Sequence, residues 1–307
     1  MFDIPAMIDY ILATTGHQKL HYVGHSMGTT GFFVAMDHRP EYQDKVIMAN
    51  LLSPIAYTEN MFSPLSWLAP WVQEIEVLIF QSWLRIGSKY IFTFQAIFEL
   101  VSGELLSDQG ILEVIMNILA QNFCGPDDDF QGVCKGILFF ACGFDPLQFP
   151  DELLPTILMH DPAGNSVRQA TQYVQVIWNL SYKVSLIYPH YFYLQEINSG
   201  EFCRYDYYDD YLNFEHYDQE TPPLWNISNV NVPLSTYFGR NDWLCHKTDY
   251  ERAISQIPNL YDDFTVHYPL WNHLDFLWAK DIDFFLFPRL LRNINKAERM
   301  YRKELSG

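Results

Sequence analysis

The pentapeptide Gly24-His25-Ser26-Met27-Gly28 has the pattern G-x-S-x-G, with a short apolar run at 20–23 directly before it and a helix-compatible stretch at 29–36 directly after. This context constrains the fold more than any other feature of the chain. A strand that turns sharply into a helix holds a serine hydroxyl out on a strained turn, and flanking glycines remove the Cβ atoms that would clash there. Ser26 is the candidate nucleophile, and Gly24, His25 and Gly28 complete the candidate elbow. Taken alone, the pentapeptide fits a glycine turn with an incidental serine equally well, so the choice rests on the remaining sequence.

Hydrophobic periodicity predicts an α/β architecture around this turn. The first segment reads as an amphipathic helix, with Asp3 as N-cap, Pro5 in the first turn, Ile4, Met7, Ile8, Ile11 and Leu12 on one face, and Gly16 ending it. The apolar run 46–52, closed by Ser53-Pro54, has the pattern of a strand buried on both faces of a parallel sheet. Strand-like runs return at 232–238 and 264–268. Between about 57 and 222 the chain is rich in aromatics and helix-like periodicity, punctuated by Pro64, Pro70, Pro146 and Pro150. This predicts a core formed by residues 1–56 and 223–307, with a mostly helical insertion, 57–222, above the sheet. The apolar segments of the insertion either pack as core or line a substrate cleft. A charged stretch at 292–303 predicts a last helix that packs on the sheet and ends in solvent.

A serine hydroxyl is a poor nucleophile near neutrality, so it needs a histidine to take its proton and a carboxylate to fix the imidazole tautomer. On parallel sheets with this elbow, those partners follow on loops after later strands, in the order Ser, acid, His. Asp242 lies just past the predicted strand 232–238, and His273 follows the predicted strand 264–268. Both positions fall at the carboxyl edge, where open parallel sheets keep their active sites. The competing acids are Asp249, Asp262 and Asp263; the competing bases are His246 and His267. His267 falls within the predicted strand and reads as a packed core histidine, while Asp262 and Asp263 precede that strand, at the wrong end of the sheet.

Composition excludes several other functions. There are 19 Lys and Arg against 37 Asp and Glu, a formal charge of −18, which repels phosphate backbones and anionic headgroups and argues against nucleic-acid partners. The most apolar stretch, 77–100, is interrupted by Arg85, Lys89 and Glu99, so no integral membrane segment is expected. The N-terminus has Asp3, Pro5 and Asp9 where a signal peptide would need a basic and then an apolar region. Sequons at Asn179 and Asn226 are glycosylation candidates. The five cysteines include no C-x-x-C pair, Cys124 and Cys134 being near enough to close a short loop. Asp127, Asp129 and Gly132 imitate the start of a calcium loop, but Leu138 stands where a bidentate carboxylate is required. His21 and His25 are four apart across a strand and turn, not on one helix face. No metal site and no cofactor is expected.

The segments 22–30 (YVGHSMGTT), 160–166 (HDPAGNS), 241–242 (ND) and 272–276 (NHLDF) together resemble the acid lipases, the family of gastric and lysosomal acid lipase. The resemblance runs nearly end to end. It implies an α/β-hydrolase fold with a cap and lid, Ser26 as nucleophile, Asp242 as orienting acid and His273 as general base. It also implies a disulfide between Cys124 and Cys134, a free thiol at Cys142, and action on neutral lipids, triacylglycerols or cholesteryl esters, at a lipid–water interface. Secretion or a lysosomal location follows from the same likeness. Two departures from the family pattern stand out. Only 25 residues precede Ser26 and no His-Gly dipeptide occurs, so the expectation is an N-terminally truncated product lacking the first strands of the sheet. The strand at 19–23 would then be a bare apolar edge, and the N–H of Met27 the one identifiable oxyanion donor. The second departure is an extra segment at about 176–195. The alternative to a working lipase is a chain that keeps triad and cap but binds lipid or a partner without turnover.

Overall fold

The computed structural model describes residues 1–64, 124–125, 130–160, 200–207 and 209–306. The sequon at Asn179, the segment 176–195, Asp127, Asp129, the apolar stretch 77–100 and most of the motif at 160–166 lie outside the described residues.

Helix α1 (Asp3–Thr15) leads into strand β1 (Leu20–His25), which turns at Ser26 into helix α2 (Met27–His38). Strand β2 (Val46–Leu52) follows. Helices α3 (Gln131–Cys142), α4 (Leu154–His160) and α5 (Asp210–Tyr217) come next among the described residues. The chain returns to the sheet as β3 (Leu234–Phe238), α6 (Lys247–Ile254) and β4 (Leu260–Thr265). Two short helices, α7 (Asp275–Trp278) and α8 (Ile282–Phe285), precede the long α9 (Phe287–Ser306). The described strands form one parallel sheet in the order β1-β2-β3-β4.

Burial explains why β2 reads as a continuous apolar run. Leu51 belongs to a cluster with Phe32, Met36 and Ile8, whereas Leu52 belongs to another with Tyr237, Trp271 and Leu290. Consecutive strand residues point to opposite faces, so the sheet is packed on both sides, with α1 and α2 against one and α9 against the other. The predicted face of α1 is narrower than the periodicity implies. Ile8 is buried and Ile4 and Leu12 pack against the core, but Met7 and Ile11 are exposed. Asp3 is the first helical residue, not the N-cap; Phe2 holds that position without a side-chain cap bond.

The expected strand at 264–268 is displaced. β4 begins earlier and takes in Asp262 and Asp263, and His267 is exposed in the loop beyond it. Alternation of apolar residues misplaces this strand because β4 is a half-exposed edge whose acids are individually paired. Asp262 accepts from Arg289 Nε (2.7 Å) and Asn293 Nδ2 (2.6 Å), and Asp263 accepts from the Tyr250 hydroxyl (2.5 Å). His267 is therefore not a core histidine, and Asp262 and Asp263 lie within the strand instead of before it.

Asn293 joins α9 to the sheet. Buried, it donates to Asp262 and to the Tyr237 hydroxyl (3.1 Å), which in turn donates to Asn50 Oδ1 (3.0 Å). Asn293→Ala leaves a partly buried carboxylate and a buried hydroxyl each short of a partner, and is expected to lower unfolding free energy by roughly 1–3 kcal/mol in urea denaturation. Arg302→Ala, which removes an exposed pair with Glu298, is expected to change it by no more than about 0.5 kcal/mol.

Candidate active site

Ser26 has φ +53° and ψ −119°, a conformation a non-glycine residue adopts only when its surroundings enforce it. The enforcement is visible in the neighbouring bonds. Ser26 N–H donates to Leu52 O (3.1 Å), its carbonyl accepts from Thr29 N–H (2.8 Å) and Thr29 Oγ1 (2.6 Å), and Thr29 Oγ1 accepts from Ile55 N–H (2.9 Å). The start of α2 is thus tied to the loop after β2. Gly24 is required by contact, since a Cβ there would meet Tyr22 Cε1 at 2.7 Å and the Gly28 carbonyl group at 3.1 Å. Gly28 is not required in the same way, because a Cβ would find only ordinary contact with the Tyr22 hydroxyl. Its carbonyl instead accepts from that hydroxyl at 2.8 Å.

The sheet ladder carries these residues to one edge. Ser26 N–H bonds to the end of β2, Ser53 N–H bonds to Tyr237 O in β3 (2.8 Å), and Val266 N–H bonds to Phe238 O (2.9 Å). Beyond Phe238 the loop turns at Asp242, and beyond Val266 the chain reaches His273. Asp242 and His273, both nearly inaccessible to solvent, meet through His273 Nδ1, at 2.9 Å from Oδ2 and 3.1 Å from Oδ1 of the carboxylate. Asp242 Oδ1 also accepts from the N–H groups of Leu244 (3.0 Å) and Cys245 (2.8 Å). Burial alone would raise the Asp242 carboxyl, but His273 and the hydrogen bonds from His273, Ser53 and the Cys245 amide outweigh it and hold the group below the ordinary carboxylate range. An ionised Asp242 places the proton on His273 Nδ1 and leaves the lone pair on Nε2.

Ser53 was not legible from the sequence. It is fully buried, has φ +49°, and its hydroxyl donates to Asp242 Oδ2 (2.6 Å) while its oxygen lies 3.0 Å from His273 Nδ1. The only signal was its place directly after a buried strand, before Pro54. His25 also does more than occupy an elbow position. Its Nε2 donates to the His273 carbonyl oxygen (2.9 Å), and its ring lies 4.6 Å from the His273 ring. Burial, and then the nearby His273, push the His25 imidazole down to about 3, so it remains neutral.

The structure therefore brings Asp242 and His273 into hydrogen bond and sets the elbow against the His273 loop through His25. Among the described residues no hydrogen bond joins the Ser26 hydroxyl to the His273 ring. Met27 opens α2, at the positive end of the helix. The competitors are engaged elsewhere: Asp249 accepts from Asn60 N–H and Nδ2 (2.8 and 2.7 Å), and His246 caps α6 through Thr248 N–H. His21 pairs with Glu298 at 3.2 Å. Cys124 and Cys134 form a disulfide, Cys142 is buried and outside any disulfide among the described residues, and Asn226 is exposed, its side chain accepting from Ser228 N–H. Among the described residues no group of three or more His, Cys, Asp or Glu is placed to hold a metal ion, and no helix is long and apolar enough to cross a membrane.

Ser53→Ala removes one donor from a buried carboxylate. The expected loss is roughly 1–3 kcal/mol of stability at neutral pH. Because Asp242 is depressed in the fold, its contribution is present above the unfolded carboxyl range and disappears as pH falls through the folded value. The stability difference between the wild-type chain and Ser53→Ala in denaturant titrations should shrink on acidification.

Sequence comparison agrees with this architecture. Residues 1–81 match the family described as alpha/beta hydrolase fold. The chain is 32% identical over 97% of its length to Lipase 3 of Drosophila melanogaster, covering 65% of that protein. It is 30% identical over 91% of its length to gastric triacylglycerol lipase of Homo sapiens, covering 58%, and 26% identical over 97% of its length to lysosomal acid lipase/cholesteryl ester hydrolase of Macaca fascicularis, covering 63%. The chain thus spans less than two thirds of the length of these relatives. Its parallel sheet, its strained elbow and these likenesses together give the chain the α/β-hydrolase fold, and it is similar along more than nine tenths of its own length to the acid lipases.

Proposed function

We propose that this chain is a serine ester hydrolase acting on carboxylic esters of neutral lipids, triacylglycerols or cholesteryl esters, through an acyl-enzyme. The observation that carries this reading is the buried Asp242–His273 pair set beside a strained Ser26 turn at one sheet edge. In the first step His273 Nε2 takes the Ser26 proton as Oγ attacks the ester carbonyl. The imidazolium, steadied by Asp242, then gives that proton to the leaving alcohol. Water activated by the same ring releases the fatty acid. The Met27 N–H, at the head of α2, faces the developing oxyanion. The hydrogen bond from the Ser26 hydroxyl to His273 Nε2 forms on substrate binding, catalytic contacts often being longer in the free enzyme.

The substrate class rests on the names of the relatives and on the apolar side chains of α3, where Val133, Ile137 and Phe140 are exposed. The disulfide Cys124–Cys134 supports an oxidising setting, secreted or lysosomal. In such a setting Asn226, exposed in its Asn-Ile-Ser sequon, and Asn179 would carry glycans.

Exposing the purified chain to a fluorophosphonate probe should label Ser26 and no other residue, and both Ser26→Ala and His273→Ala should abolish labelling. Hydrolysis of a long-chain triacylglycerol emulsion should fall roughly 10,000-fold or more in either variant. Absence of Ser26-dependent label in the wild-type chain would leave lipid binding without turnover as the function. Faster hydrolysis of soluble butyrate esters than of long-chain emulsions would overturn the substrate assignment.

A further inference from the structure

The segment following α3 is stitched to both loops that supply Asp242 and His273. Cys142 O accepts from Trp243 N–H (3.4 Å) and His273 N–H (3.3 Å), Gly143 O accepts from Asn272 Nδ2 (2.8 Å), and Phe144 O accepts from Asn241 Nδ2 (2.9 Å). The fit is close. A Cβ at Gly143, where φ is +110°, would lie 2.1 Å from Asn241 O. On the far side of this seam the His273 loop is held by a reciprocal cap. Asn272 Oδ1 accepts from Leu274 and Asp275 N–H (2.8 and 3.0 Å), while Asp275 Oδ2 accepts from Asn272 N–H (2.7 Å). His273 sits inside that box.

The last contact of the seam is between two acids. Asp145 and Asp275 are both buried, at 0% and 2% exposure, and their carboxyl groups face each other across the seam, Asp145 two residues past Gly143 and Asp275 in the box that Asn272 closes. Asp145 Oδ1 is occupied by Leu147 N–H (3.2 Å), Gln148 N–H (3.4 Å) and the Tyr268 hydroxyl (3.3 Å). Asp145 Oδ2 is buried with no N–H or hydroxyl donor. Two carboxylates in such contact repel, and a carboxyl–carboxylate hydrogen bond needs a proton on one of them. Among the described residues no Lys or Arg is hydrogen-bonded or ion-paired to either carboxyl. Gln148 faces the pair from the segment after α3, Asp242 and its partner His273 from the catalytic loops, and Tyr268 from the loop after β4, with Asp281 close to Tyr268.

We propose that Asp145 and Asp275 share one proton, and that this hydrogen bond is a pH-sensitive stitch holding the His273 loop against the segment after α3. Asp145 is then a positioning residue, acting on His273 through Asp275 and Asn272; its effect on turnover rests on the ester-hydrolase reading, but the shared proton does not. Burial raises both carboxyls, and the facing Asp145 raises Asp275 further, so the folded chain holds a proton that the unfolded chain releases at lower pH. The stability this confers is complete below the ordinary carboxyl range and is lost as pH rises through the folded value.

Two isosteric variants test the stitch. In Asp145→Asn the amide oxygen keeps the three donors now on Asp145 and the NH2 group donates to Asp275 without any titrating proton; Asp275→Asn makes the mirror substitution. Infrared spectra of the full-length chain at about pH 7, where ordinary carboxyls are ionised, should retain a protonated-carboxyl C=O band in wild type that is missing in both variants. Thermal melts from about pH 5 to about pH 9 should lose stability toward alkali in wild type, and this loss should flatten in the variants. The alkaline limb of Ser26 labelling should move upward by about one pH unit or more in Asp145→Asn. A wild-type chain with no such band, or variants whose melting follows pH as wild type does, would overturn the proposal. The band and the melts require no turnover, so a chain that fails to label sinks only the catalytic reading.

Discussion

Burying a carboxylate costs several kcal/mol unless the protein replaces the water it loses, and the sheet edge that carries Ser26, Asp242 and His273 is arranged around that requirement. Asp242 receives two backbone amides from its own loop, a hydroxyl from the end of β2 and an imidazole from the loop beyond β4. These donors come from three separate parts of the sheet edge. The carboxylate therefore fixes the relative positions of three loops as well as the tautomer of one ring. Its low affinity for protons is the electrostatic expression of the same bonds.

Parallel ladders make this convergence possible with little specification along the chain. Once β1, β2 and β3 are in register, Ser26 follows the first, Ser53 follows the second and Asp242 lies four residues past the third. The strained φ angles at Ser26 and Ser53 both sit where a strand ends against a carbonyl near the end of its neighbour, Leu52 O for Ser26 and Tyr237 O for Ser53. Strain at these points is held by the ladder and by Thr29, which bridges the two turns with one hydroxyl. The elbow is thus a property of two strand ends, and its glycine requirement falls on Gly24, where the chain passes Tyr22, more than on Gly28.

This division explains what could be read from the residues alone. β2 was legible because both its faces are apolar, and Ser26, Asp242 and His273 were readable as candidates because the proposed chemistry requires particular side chains after particular strands. β4 was misplaced because an edge strand tolerates Asp262 and Asp263 when Arg289, Asn293 and Tyr250 answer them, and those partners are distant in sequence. Ser53 was invisible for a related reason: a serine before a proline carries no signal until the fold sets it against Asp242. Asp145 and Asp275 were equally unreadable as a pair. They are 130 positions apart, and the chain before Asp145 lies flat on Asn241 and Asn272 at Gly143, where a Cβ would clash.

His25 brings the electrostatics and the elbow together. In the proposed reaction His273 becomes a cation while a second imidazole lies 4.6 Å away, and two imidazoles at that distance cannot both bind protons without mutual repulsion. The fold resolves the competition before the reaction begins. Burial keeps His25 neutral, and its Nε2–H is spent on the His273 backbone carbonyl, so the ring serves as an oriented donor and not as a rival base. Asp242, by contrast, is directed at His273 Nδ1, so the two imidazoles receive opposite treatment from neighbours within one small volume. In the proposed reaction the residue before Ser26 thus leaves the positive charge to His273, and it does so by the hydrogen bond that also holds the His273 loop against the elbow.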